Sequence, residues 1–435
     1  MKNETQRQRF ESPLAKLFLL QRGEGTALFW SAGYFFFLLF GYFLIRPVRD
    51  ALGISRGAEN LPWPMTATMI VMFCVSPLFS GLVSRMPRRR FIPLTHHIVS
   101  ASLILFYIAL RWKVSDWTGW AFYVWVSVLN LFLVSVFWAF MNDCHGSDRA
   151  RRLFGMIGVG GTLGAFLGSL ANRKLVGGFW LAGLGEVKLD PYTMLPLCVL
   201  SWEFAIVWMK MAGRHAVAPE RMSETPARSG GAFQGMLILV RSPYLMLIAA
   251  YVFIYALTST FLYLQQGRLI EQSAPDTASR TAAFADISTW TQGVTLLVQL
   301  LVTGHLIRFL GVGLTLALLP AVTIGGFVLL GMHPTPDALV VFQVVRGAVH
   351  YAVDRPTRET LYSSLSVDAK YKTKSFIDTF IYRGGDFSGT WLPKGLAWAG
   401  VSLTAVAVGA GVVWCLIAAG VGIMQSRRGA EAKPD

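Results

Sequence analysis

Five residues, Arg46-Pro47-Val48-Arg49-Asp50, close a long apolar stretch near the start of the chain, and three of them are charged. Asp143, Glu203, Arg346, Asp354, Arg383 and Asp386 also lie within or at the ends of long apolar runs. A charge at membrane depth costs about 2.5–3.5 kcal/mol on insertion scales, so it persists where it faces a partner, a bundle interior or a water-filled cavity. Several of both signs, spread over separate stretches, describe the lining of a polar pathway through a membrane protein. Arg46 and Arg49 stand near one helical face, with Asp50 as an internal partner. The forked guanidinium suits carboxylate or phosphate. Snorkelling to the interface is the other reading of the same pair.

Further along, Arg346, His350 and Asp354 recur every fourth residue, and Gln343 joins them on the same stripe. Two readings stand: a self-satisfied network bridged by His350, or a histidine that couples proton movement to a solute. Arg383 and Asp386 flank Gly384-Gly385. They form either a mutually neutralising pair or a lock that releases Arg383 to substrate. Lys394, nearer the end of that stretch, can snorkel. Asp143 sits at a helix end beside Asn142, and Glu203 is a lone acid between Trp202 and Phe204. Gln265, Gln266, Gln292 and Gln299 add neutral hydrogen-bonding capacity. We expect substrate binding from Arg46, Arg49, Arg346 and Arg383, and coupling or gating from Asp50, Asp143, Glu203, His350, Asp354 and Asp386.

These residues must be carried by membrane helices. The 435-residue chain is 54% hydrophobic and 14% charged, with mean hydropathy +0.50, where soluble domains carry about a quarter charged residues. Apolar stretches fall at 26–46, 62–84, 92–111, 118–141, 153–172, 192–209, 244–264, 282–304, 312–332, 337–354, 375–396 and 401–424. Each is long enough to cross roughly 30 Å of hydrocarbon. The expected fold is an all-α membrane protein of twelve transmembrane helices, with the tenth and eleventh the least apolar. The net charge of +15 is topological: most Lys and Arg fall in the N-terminal segment, the even-numbered connections and the tail. That is the positive-inside bias with both termini cytoplasmic, and no nucleic-acid partner is expected. Cys74, Cys144, Cys198 and Cys415 lack metal spacing and read as apolar fillers. His96 and His97 are adjacent and share no helix face, so no metal, cofactor or enzyme constellation emerges.

Residues 1–25 are polar except for the run Leu14–Leu20, and they read as a cytoplasmic segment with an interfacial helix starting at Ser12-Pro13. Residues 210–243, with Pro219, Pro226 and Ser229-Gly230-Gly231, read as a cytoplasmic linker. It separates a six-helix half at 26–209 from another at 244–424, with a tail at 425–435. Six plus six is the organisation of major facilitator transporters. Gly81-Leu82-Val83-Ser84-Arg85 and Gly304-His305-Leu306-Ile307-Arg308 occupy equivalent places in the two halves. The first, continued through Arg89, resembles the loop after the second helix of that superfamily, with Ser84 where the family usually has Asp. Gly81 would permit close approach there, and Arg85 and Arg89 would cap helix ends. Gly160 and Gly161 in the fifth stretch, and Gly384 and Gly385 in the eleventh, read as helix-packing positions. A phosphate-binding loop would need a preceding strand, and none precedes them.

Tyr42 through Asp50, then Gly57-Ala58-Glu59 and Leu61-Pro62, resemble the first-helix region of the ATP:ADP translocases of plastids and obligate intracellular bacteria. Phe137-Trp138-Ala139-Phe140-Met141-Asn142 is similar to that family's fourth-span ending. Lys374, Phe376-Ile377-Asp378 and Arg383 through Gly389 are similar to its eleventh-span region. Two departures stand out: Arg49 occupies a family Lys position, and Asp386 occupies another. The resemblance implies a major facilitator fold and secondary transport, with nucleotide exchange as one mechanism. The reversed sign at Asp386 argues against triphosphates. The rivals are a proton-coupled transporter of another organic anion or amphipathic envelope precursor, and a non-transporting receptor or scaffold. The expected setting is a bacterial inner membrane, with the protein working as a monomer on a small anionic solute.

Overall fold

The computed structural model of the protein describes residues 24–85, 88–115, 117–181, 185–216, 232–362, 365 and 367–431. The interfacial helix expected before residue 24 and the middle of the linker lie outside the described residues. The chain begins with α1 (Glu24–Gly53), a 3-10 turn at Ala58–Asn60, α2 (Pro62–Arg85) and α3 (Arg88–Arg111). Helical backbone then runs from Thr118 to Gly177, yet it is two antiparallel helices. Trp138 and Phe154 have ring centroids 4.8 Å apart, whereas a straight helix would separate them by about 24 Å at 1.5 Å per residue. The direction reverses between α4 (Thr118–His145) and α5 (Leu153–Gly177). A two-stranded hairpin, β1 (Phe179–Leu181) and β2 (Gly185–Val187), precedes α6 (Met194–Arg214).

The second half starts after a short linker helix, Ala232–Val240, so the end of the stretch read as a flexible linker is helical. Its Gly235 lies against the Lys372 carbonyl. There follow α7 (Pro243–Ser273), α8 (Thr277–Leu301) and α9 (Thr303–Met332). α10 joins Pro336–Ala348 through a π-helical stretch, Val349–Asp354, to Arg355–Leu361. α11 joins Val367–Phe376 through a second one, Ile377–Ile381, to Tyr382–Trp398, and α12 is Leu403–Glu431. Both π stretches fall in the two stretches expected to be least apolar. Such insertions re-aim side chains and concentrate at functional sites.

Local chemistry starts these helices where they start. Ser242 and Thr335 accept from the backbone of Leu245 and Ala338, each followed by proline at the first helical position, where no N–H is needed. Asp276 and Ser279 cap α8 reciprocally, with the Ser279 N–H donating to Asp276 Oδ1 at 2.8 Å. Gly311, at φ 68°, breaks the helical backbone inside α9 in a conformation that favours glycine.

Among the described residues, eight helices are long and apolar enough to cross a membrane by themselves. α2, α8, α10 and α11 fall short of that test among the described residues. α8, α10 and α11 carry many polar residues, as helices facing a shared interior require, whereas α2 is apolar and the side chains of its last turns lie outside the described residues. Phe309, Leu416 and Trp398 expose 81%, 69% and 93% of their surface, which suits lipid contact and no aqueous surface.

Packing divides the molecule. One apolar core, with Tyr34, Leu38, Phe122, Phe137 and Trp202, belongs to α1–α6. Two others, built on Tyr244, Tyr251, Trp414 and on Phe261, Phe327, Phe342, belong to α7–α12. α1 runs parallel to α5 at glycine contacts: a methyl at Gly160 would sit 2.7 Å from the Ala32 carbonyl, and Gly164 and Gly168 meet the carbonyls of Phe36 and Phe40. Glycines on every fourth residue let two backbones touch without a hydrophobic drive. A fourth cluster joins the halves where α1 ends: Ala51, Ile54, Leu61 and Tyr123 pack with Leu264, Ile270, Phe284 and Ile287. We refer to this as the far end.

Candidate functional site

A cavity of about 220 Å³ lies between the halves. α1 contributes Arg49; α2 contributes Met65, Thr66, Thr68 and Met69; α4 contributes Tyr123, Ser127 and Asn130. From the other half, α11 supplies Tyr382, Arg383, Asp386, Phe387 and Thr390. The cavity therefore has cationic groups from both halves, with aromatic rings and neutral hydrogen-bonding groups between them.

On the α1 wall, Asp50 is the hub. Its Oδ1 accepts from Arg49 Nε at 2.9 Å and from Tyr263 Oη of α7 at 2.8 Å, and Arg49 Nη2 also closes on it. Arg46 Nε stands 3.9 Å from the other carboxylate oxygen, with its guanidinium over Phe43. Arg49 lies over the Tyr123 ring at 5.4 Å. The carboxylate is thus satisfied by two cations and a neutral donor from the opposite half. On the α11 wall, Arg383 Nη1 donates to Asp386 Oδ2 at 2.8 Å, and Thr260 Oγ1 of α7 donates to Oδ1 at 3.1 Å. Both side chains keep partial exposure, 25% and 22%.

Beyond the cavity, the far end is shut by contacts between halves. Trp391 Nε1 donates to Thr66 Oγ1 at 3.0 Å, and Trp63 packs edge-on to Trp391. The Ala58 N–H donates to Glu271 at 2.9 Å, and Arg280 Nη1 donates to the Ile54 carbonyl at 3.2 Å. Arg173 pairs with Asp286 at 2.6 Å between α5 and α8. At the other end, Thr162 donates to Gln299 at 3.0 Å.

Arg346, His350 and Asp354 do not line the cavity. They form a buried cluster inside the second half, one layer behind Tyr382. Arg346 donates to the hydroxyls of Thr323 at 3.1 Å, Thr258 at 3.2 Å and Ser259 at 2.9 Å. Asp354 accepts from Tyr251 Oη at 2.6 Å and lies 3.2 Å from His350 Nδ1 and 3.1 Å from Arg358 Nε. Tyr255 stacks on His350 at 4.3 Å and stands 6.0 Å from Tyr382. Gln343 leaves the stripe's other members and donates to Gln266 of α7 at 2.6 Å.

Glu203, expected among the gating acids, is elsewhere. It meets His97 Nδ1 at 3.2 Å and Ser100 Oγ at 3.3 Å on the outer face of α3 and α6, beside exposed Leu200, Phe204 and Val207. Asp143 ends α4, two residues before His145, whose Nε2 is 2.9 Å from Ser31 Oγ. Gly160 and Gly161 face α1, the latter against the Phe35 ring, and Gly385 faces the Phe253 carbonyl. Gly384 departs from the expectation: a methyl there would meet nothing nearer than 3.8 Å. Gly81, Arg85 and Arg89 lie in helical backbone whose side-chain surroundings fall outside the described residues. Sequence reasoning missed Tyr123, Tyr263, Tyr382, Thr260 and Asn130. Hydroxyl and amide residues in apolar helices were the available signal.

Solved structures place this arrangement. A bacterial homologue of the human lysosomal transporter Spinster, inward-facing and unoccupied, superposes with a TM-score of 0.59 at 15% identity, covering 95% of this chain and 99% of that one. The nucleoside transporter NupG gives 0.57 at 12% identity, covering 95% and 100%. This is the major facilitator fold. Within it, a sequence model of the Major Facilitator Superfamily matches residues 1–169. The ADP,ATP carrier protein 1 of Chlamydia muridarum (strain MoPn / Nigg) is 24% identical over 428 residues, 82% of this chain and 79% of the carrier. The resemblance read from patches of sequence thus extends over most of the facilitator fold, and the chain is a multi-pass membrane protein.

Proposed function

We propose that this protein is a secondary transporter of a bacterial inner membrane, moving a small organic anion by alternating access through the cavity between its halves. The observation that carries the reading is a single space reached by Arg49 of α1 and Arg383 of α11, closed at one end by contacts between the halves. Guanidinium from each half lets one solute hold both halves together, and rocking of the halves then carries it across. With both termini cytoplasmic, the closed far end faces outward. The transporting unit is one chain in the bilayer. Nucleotide exchange is the leading mechanism, supported by the similarity to an ADP,ATP carrier over 82% of the chain.

Coupling to protons is the second reading, favoured by the stacking of His350 on Tyr255, one ring from the cavity-lining Tyr382. Proteoliposomes distinguish the mechanisms. Uptake of a labelled solute that requires an internal counter-solute is expected for exchange, and uptake driven by an imposed pH gradient is expected for coupling. Arg49→Gln and Arg383→Gln should each abolish uptake. Proteoliposomes that move no nucleotide, sugar phosphate or dicarboxylate under either condition would favour a receptor or scaffold that retains a transporter fold. A reporter at Glu186 accessible only from outside, with a C-terminal reporter inside, checks the orientation.

A further inference from the structure

The two walls of the cavity differ in charge. On α1, Arg46 and Arg49 surround one carboxylate, Asp50, so that wall carries a surplus cation. On α11, Arg383 is bound by Asp386 and also lines a smaller adjoining space together with Asp378. Asp378 itself faces Lys374, Arg358 and Arg355, so within the cavity that wall presents the balanced pair Arg383–Asp386. The other charges of the second half stand back from the space: Arg346 is held by three hydroxyls behind Tyr382, Arg358 by Asp354, and Lys374 by Glu359 at 2.6 Å. Asp386 accepts from one guanidinium nitrogen and one hydroxyl, and a carboxylate offers about four acceptor positions, so it retains capacity toward the cavity. Arg49, Tyr123 and Asp386 all line the one cavity of about 220 Å³, a space that suits a small molecule touching both walls.

We infer that the solute carried by this cavity is a small zwitterion, with an anionic group held by Arg49 and a cationic group, such as a primary ammonium, held by Asp386. The inference rests on the transport reading above and replaces nucleotide with a zwitterion as its solute. A purely anionic solute leaves Asp386 facing its own sign or facing water. A zwitterion satisfies both walls without net charge entering the low-dielectric interior, where an uncompensated charge is costly. The same asymmetry sets the orientation: the anionic end meets the α1–α6 half and the cationic end the α7–α12 half, so closure around the solute pulls oppositely charged ends toward opposite walls.

Matched probe pairs test this on the purified full chain. Binding is followed by the shift in melting temperature, with 2-aminoethyl phosphate against ethyl phosphate and glucosamine 6-phosphate against glucose 6-phosphate. The amino member of each pair is expected to bind about tenfold more tightly, the scale of one charge-assisted hydrogen bond. Asp386→Asn should erase that preference while leaving affinity for the plain anions unchanged or higher, and Asp386→Glu should restore it. Arg49→Gln should weaken both members of each pair. Equal binding of the pair members by the unmodified protein, stronger binding of the plain anions, or stabilisation by no amino-bearing probe overturns the zwitterion and leaves the transport reading standing. Binding that is indifferent to both Asp386→Asn and Arg49→Gln overturns the cavity as the site, and the transport reading with it.

Discussion

Tyr263→Phe isolates one strut of the far-end closure. The ring stays, and only the hydroxyl that crosses from α7 to Asp50 Oδ1 at 2.8 Å is lost. Asp50 keeps Arg49 Nε on the same oxygen at 2.9 Å, so no buried charge is orphaned and folding is spared. A hydrogen bond to a charged group contributes about 1.5–3 kcal/mol net, and about 1.4 kcal/mol is a factor of ten. The population opened at the far end should therefore rise by roughly 10- to 150-fold. It remains a minority, because Trp391–Thr66, Glu271–Ala58 and Arg280–Ile54 still hold. Labelling kinetics read a minority state. In a background lacking the four native cysteines, Ser127→Cys places a thiol in the cavity. Its rate with an impermeant maleimide applied from the far side is then limited by opening. A rate within about twofold of the Tyr263 parent would show that this bond does not hold the halves together.

Four further outcomes follow from the same contacts. Arg358→Met should destabilise the protein by about 3–5 kcal/mol, because Asp354 is fully buried and loses its cation. Arg358→Met with Asp354→Met should recover much of that loss in thermal unfolding, and an additive double variant would contradict the pairing. Gly164→Val drives a branched side chain into the Phe36 carbonyl and should lower stability by about 1–3 kcal/mol, whereas Gly384→Ala should be silent in the same melt. Labelled ATP uptake against internal ADP should be weak in the unmodified protein and rise in Asp386→Lys. A charge pair at 4 Å is worth roughly 4 kcal/mol at an effective dielectric of 20, and robust ATP:ADP exchange by the unmodified protein would refute the argument from sign. Hydrogen bonds from the backbone and side chain of Ser279 hold the exposed Asp276 carboxyl below its ordinary range. Its small stabilisation of the α8 start is present above the unfolded value near pH 4 and lost as pH falls through the lower folded value. Asp276→Asn should flatten that part of the acid melt.

Much of the fold was legible in the chain. Apolar stretches of membrane length gave the helices, including the reversal between α4 and α5 that unbroken helical backbone conceals. Charge and glycine within apolar runs pointed to α1, α5, α10 and α11, because a charge in lipid and a glycine in a helix each need a specific reason to persist. The cluster Arg46, Arg49, Asp50 and the pair Arg383, Asp386 were visible as neighbours in sequence, since their partners lie within one helical turn.

What the sequence left open was direction. In a membrane protein both the lipid and the core are apolar, so the hydrophobic pattern of a helix does not say which face looks inward. Glu203 and Asp386 are alike in sequence to the extent that each is an acid within a stretch of membrane length. Tertiary packing alone put one on the outer face with His97 and the other at the cavity with Arg383. The stripe of Arg346, His350 and Asp354 was equally compatible with the cavity. The packing of Tyr255 and Tyr382 in front of it set it one layer back. The strut from Tyr263 to Asp50 joins residues from opposite halves, and only the docking of those halves could bring them within 2.8 Å.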